Sequence, residues 1–184
     1  MRLTAAFFAL FLVLAGPSAS ADHKMASSLD RLFAALHATT DPAEANRLTG
    51  LIWVIWNHSE DPETDRLLTE GREAMEQLEF DKALACFSKV IMREPKFAEG
   101  WNKRATLYYV MGLYRESISD IDKVLALEPR HFGALAGLGM NYEALGNDRR
   151  ALDAWRRALK ANPHLEDAQI RVKALETSLR NQPI

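Results

Sequence analysis

The sequence holds a single cysteine in 184 residues, so no internal disulfide can staple the fold and packing must hold it. It also lacks charge of one sign: 23 lysines and arginines stand against 25 acidic residues, a formal balance of -2, which supplies no field for drawing in a phosphate backbone. Nucleic acid is excluded as an expected partner. Beyond residue 15 no apolar run approaches the ~20 residues that span a bilayer. The five histidines, His23, His37, His58, His131 and His164, fall at no spacing that would let two of them, or one with Cys86, share a metal on one helix. There is no glycine-rich phosphate loop, no nucleophile elbow and no convincing strand pattern. No catalytic residue, metal or cofactor is expected, and the chain reads as a non-enzyme.

What is present suits one compact helical domain, with 48% apolar and 26% charged residues. Arg2, the apolar run Leu3 to Ala15, the breakers Gly16 and Pro17 and the small residues Ala19-Ser20-Ala21 together read as a cleavable export signal over 1–21. The expected location is periplasmic or secreted, with no stable membrane insertion after cleavage. Cys86 lies on the stripe Ala83, Cys86, Phe87, Val90 at helical spacing, which predicts a buried side chain and not a reactive thiol.

Self-comparison organises the rest. Pro95, Pro129 and Pro163 recur every 34 residues, and other columns keep the same interval: Gly71, Ala105, Gly139; Leu67, Trp101, Leu135; Ala74, Tyr108, Tyr142; Ala83, Ser117, Ala151; Phe87, Ile121, Trp155; Val90, Val124, Ala158. Within one copy, Trp101, Ala105 and Tyr108 share a helix face, a small residue between two large ones that lets a second helix approach closely. Gly112 and Gly146 fall where the first helix of a pair should end. The first copy has Leu78-Glu79-Phe80 there, so its turn must be made differently or under strain.

This pattern resembles the tetratricopeptide repeat, with three copies over 64–97, 98–131 and 132–165. The resemblance implies an all-α fold, a right-handed solenoid of three helix pairs. Helices are predicted over 28–38 and 42–57 within an N-terminal segment, 22–63, that looks like a degenerate repeat. A capping helix and tail fill 166–184, with Leu165, Ala168, Val172, Leu175 and Leu179 as the cap's apolar stripe. Trp53 and Val54 lie off the packing face of the second helix, and two readings follow. Either the first helix of repeat one covers Trp53, or this helix meets a partner or a second copy of the chain.

In such a family the first helices of the pairs line a concave groove, and counting places Arg72, Met75, Glu99, Asn102, Lys103, Thr106, Tyr109, Gly133, Ala136, Met140 and Glu143 on it. The resemblance thus implies an unidentified protein or peptide as partner. Some relatives grip a free carboxylate there with lysine and asparagine. At the aligned positions this chain has Leu68, Arg72, Lys103, Gly133 and Gly137, so that set is mostly missing and binding of chaperone tails is not expected. His131 and His164, each two residues beyond a repeat proline, are expected to be solvent-exposed turn residues.

Overall fold

The computed structural model describes residues 18–181, with side chains from 26 onward. Positions 1–17, which carry most of the expected export signal, and the tail 182–184 lie outside the described residues. Within them stand nine helices and no strand: α1 (Ser18–Ala38), α2 (Pro42–Trp56), α3 (Pro62–Glu76), α4 (Phe80–Arg93), α5 (Ala98–Val110), α6 (Tyr114–Leu127), α7 (Phe132–Ala144), α8 (Asp148–Ala161) and α9 (Glu166–Asn181). α1 begins ahead of its predicted start because no glycine or proline interrupts residues 18–41. Aspartates open α2 and α3: Asp41 accepts from the Ala43 N–H and Asp61 from the Glu63 N–H, each followed by a proline whose fixed φ suits a first helical turn.

The three pairs are α3/α4, α5/α6 and α7/α8, and the repeat columns are their seams. A Cβ at Gly71 would stand 2.4 Å from the Phe87 ring, and one at Gly139 would stand 2.6 Å from the Trp155 indole. In the middle repeat the partner is the smaller Ile121, and an alanine, Ala105, fits opposite it. Ser117 departs from its alanine column for a visible reason. Its hydroxyl donates to the Ala105 carbonyl at 2.8 Å and accepts from Asn141 Nδ2 at 2.9 Å, so two unusual polar residues are bonded to each other across the second and third repeats. Cys86 is buried and free.

The turns inside the pairs behave as the spacing predicts. Gly112 and Gly146 take φ of 75° and 68°, and Leu78, at the same place in repeat one, is forced to 62°. That left-handed backbone costs a residue with a Cβ about 1–2 kcal/mol. α9 closes the solenoid, with Ala168 and Leu175 buried against α8 and Val172 and Leu179 packed beside them.

The N-terminal helices differ from expectation. They do not stack on α3 as a degenerate first repeat. α1 and α2 form a hairpin whose apolar side, Leu29, Phe33, Leu36, Leu48, Ile52 and Trp56, shares one core with Phe132 and Leu135 of α7 and Ala158 and Ala161 of α8. Polar ties fix the same docking: His37 Nε2 lies 3.2 Å from the Ala161 carbonyl, His164 Nε2 lies 3.0 Å from the Leu36 carbonyl, and Asn162 Nδ2 donates to Thr49 Oγ1 at 3.1 Å. The hairpin therefore reaches past its neighbours in sequence to the last repeat. The physical reason is supply: Phe132 and the small residues Ala158 and Ala161 leave an apolar step that large hairpin side chains fill, whereas the outer face of α3 carries Glu63, Arg66 and Glu70 in mutual ion pairs.

Two substitutions test this account. Leu78→Gly should raise the unfolding free energy by about 1 kcal/mol by relieving the left-handed strain. Gly71→Ala should lower it by about 1–3 kcal/mol through overpacking against Phe87. Urea titration followed by far-ultraviolet circular dichroism measures both.

Candidate functional site

α3, α5 and α7 present their exposed sides to a shared concave face, and α2 crosses the beginning of it. The Trp53 indole lies over Gly133, where a Cβ would come within 2.5 Å of its ring. The same indole meets the rings of His131 and Phe132 edge-on, at 5.4 Å in each case, and Lys103 Nζ lies 5.9 Å from its centre. Trp56 stacks flat on His131 at 4.1 Å with an interplanar angle of 12°. Sequence reasoning offered the first helix of repeat one, or a partner or second copy, as the cover for Trp53. α7 is the cover instead.

Beneath the indoles lies a buried charged cluster. Glu99 is 1% exposed; its Oε2 lies 3.1 Å from His131 Nε2 and accepts from Asn102 Nδ2 at 3.0 Å, and its Oε1 pairs with Lys103 Nζ at 2.7 Å. His131 Nδ1 accepts from the Ala134 N–H at 3.0 Å and so caps α7, which leaves Nε2 as the protonated nitrogen that donates to Glu99. Burial pushes the Glu99 carboxyl upward, but the His131 hydrogen bond and the Lys103 charge outweigh it and hold the group below the usual carboxylate range. The expected solvent exposure of His131 and His164 is corrected here. His131 is wholly buried as cap and donor, and His164 is half-buried against the hairpin.

The predicted groove residues divide accordingly. Glu99 is internal; Lys103 is committed to Glu99 but lines the cleft beside Trp53; and Asn102, buried, and Gly133, roofed by Trp53 on one side, both line the small cavity between α5 and α7. Glu143 is also turned away: it accepts from Trp155 Nε1 and pairs with Arg171 of α9 at 3.0 Å. The other six stay along the open part. Arg72, Thr106 and Met140 are exposed, and Met75, Tyr109 and Ala136 are half-buried. Thr106, Tyr109, Ala136 and Met140 join Asn102, Gly133, Gly137, Ile121 and Asn141 around a cavity of about 160 Å³, and Asn141 Oδ1 has no partner among the described residues. A second, larger cleft of about 650 Å³ runs from Trp53 and Lys103 to Leu68 and Arg72.

No site role was read from the sequence for His131, Phe132, Trp56 or Asn141. The first three lie outside the groove columns and become important only through the hairpin. Asn141 was legible in principle, since its repeat counterpart Leu107 is buried and apolar, and a polar side chain at such a place needs a reason.

Comparison with known proteins agrees with this architecture. The tetratricopeptide-repeat family pattern matches residues 132–165. A TPR repeat-containing protein of Rhizobium etli is 40% identical over 151 residues, covering 82% of this chain and 74% of that protein. Hsp70-Hsp90 organizing protein 1 of Glycine max is 26% identical over 103 residues, 56% of this chain but only 18% of its own length. Among solved structures, the first TPR of Spaghetti (RPAP3), bound to the HSP90 peptide SRMEEVD, superposes with a TM-score of 0.63 at 21% identity, covering 67% of this chain and 98% of that one. The MamA protein superposes at 0.58 with 24% identity, covering 64% of each chain.

Because the Glu99 carboxyl is depressed in the folded state, its contribution to stability is complete above the unfolded carboxylate value, near pH 4.3, and is lost as pH falls through the lower folded value. Glu99→Gln should flatten that part of the acid transition and, at neutral pH, cost about 1–3 kcal/mol by leaving Lys103 unpaired. Urea unfolding of both chains at a series of pH values measures the difference.

Proposed function

This chain belongs to the tetratricopeptide-repeat family, and from that premise we propose that it is an exported protein-interaction module that holds a segment of a partner protein in the open part of its groove. The observation that carries the reading is that two receptive hollows stay open on this face with the hairpin docked. Arg72 offers a cation, Tyr109 an aromatic ring, and Ala136, Gly137 and Met140 a smooth apolar bed beside the 160 Å³ cavity. An extended guest could rest side chains in that cavity and offer N–H groups to Asn141. Solved relatives with this fold include one holding a peptide, which supports the reading by analogy of fold. The place of work is the periplasm or the secreted space, a proposal that rests on Arg2, the apolar run and Ala19-Ser20-Ala21.

The homodimer reading changes its residue. Trp53 faces α7, so a second copy meeting α2 would use Val54, 66% exposed, and Leu51, 38% exposed.

A photo-crosslinking amino acid at Met140 should yield partner adducts in the native compartment, and one at Met92, 77% exposed on α4, should not. Arg72→Ala with Thr106→Ala and Tyr109→Ala should reduce the Met140 adduct by about tenfold, equivalent to ~1.4 kcal/mol, with helicity unchanged. Equal adducts at both sites, or yield unaffected by the triple substitution, argue against the groove. An adduct appearing only from Val54, between two copies, selects the dimer.

A further inference from the structure

One end of the groove already displays the chemistry it accepts. Trp53 fits because residue 133 has no side chain, and its edge rests against His131 and Phe132. Trp56, three residues on, stacks on His131 one helical turn away. Glu99 is satisfied internally by Lys103 and His131, so the site asks an occupant for apolar area and an indole edge, not for charge. Phe132 and Ala161 share their core with the hairpin's side chains.

The hairpin that fills this site is held by side chains: the shared apolar core, the ring contacts of Trp53 and Trp56, the three hydrogen bonds of His37, His164 and Asn162, and an exposed pair between Arg130 and Asp30 at 2.6 Å, while among the described residues no backbone–backbone hydrogen bond joins it to the repeats. A short linker, 57–61, carries the chain from α2 to α3.

We infer that the start of the groove is a receptor for a helix presenting a tryptophan, that α2 is its resident occupant, and that a partner helix of the same chemistry takes the site by displacing the hairpin. This rests on the reading that the groove holds protein segments, and it names the chemistry of one. The tether sets the threshold. A short linker gives the hairpin an effective concentration on the order of millimolar, so a competitor at micromolar concentration gains entry only where hairpin docking has been weakened.

The test uses the full chain and, as probe, a fluorescently labelled synthetic peptide with the sequence of residues 42–57, followed by anisotropy. The peptide should bind the Trp53→Ala chain at least about tenfold more tightly than the unsubstituted chain, because the resident helix has lost its wedge. Adding Gly133→Leu, which fills the indole seat, should abolish that gain. Equal binding to the first two chains, or a gain that survives Gly133→Leu, overturns the inference. Light scattering should show a monomer; a dimer that Trp53→Ala dissociates means that the occupant comes from a second copy, which also overturns it. Should Trp53→Ala fail to fold, Gly133→Ala keeps α2 intact and drives Trp53 out. Hydrogen exchange over 42–56 should then rise while α3 and α4 stay protected, and unchanged exchange counts against the inference. Peptide binding as expected without partner adducts at Met140 would sink the proposed function alone, and the reverse result would sink this inference alone.

Discussion

The docking of Trp53 and Trp56 onto the beginning of α7 fixes more of this molecule than any other contact. Two indoles, His131 and Phe132 form one aromatic body, and the missing side chain at Gly133 is what admits it. From that contact follow the position of the hairpin, the division of the groove into a filled and an open part, and the burial of Glu99. An aromatic assembly of this kind gains both from the area it buries and from its edge-to-face geometry.

The charged cluster below it is an expensive arrangement that pays for itself only when complete. A carboxylate removed from water needs a counter-ion and donors together, and here it has Lys103, the His131 Nε2–H and the Asn102 amide. The same histidine caps α7 through its other nitrogen, so a single ring links the buried charge, the helix start and the stacked Trp56. Replacing any one member leaves another unsatisfied, so the cluster holds His131 in the orientation on which Trp56 stacks.

How much of this was legible in the sequence depends on range. The columns Gly71, Ala105, Gly139 and Phe87, Ile121, Trp155 report contacts inside one helix pair, so periodicity alone predicts the pairs, their turns and even the strain at Leu78. The Ser117 departure was visible, but its cause was not, because Asn141 lies 24 residues away. The hairpin was the large surprise. Periodicity finds the apolar faces of α1 and α2 but says nothing of which repeat they meet, and the contacts that decide it span more than a hundred residues. Glu99, Lys103 and Gly133 were therefore placed on the right face, but without the neighbours His131 and Trp53 that the fold brings to them.

The long span between Thr49 and Asn162, 113 residues, has a consequence for how the chain comes to be folded. The hairpin is made first, yet the surface that receives it is completed last, after α8. A ribosome adding about 5–20 residues each second leaves α1 and α2 without their seat for several seconds, with both tryptophans unburied. The contact also closes a large loop, an entropic toll that the local pairs never meet. The three repeats can assemble outward from any one of them, while the hairpin must wait. The newly made chain thus passes through an interval in which its stickiest residues are available to whatever escorts it.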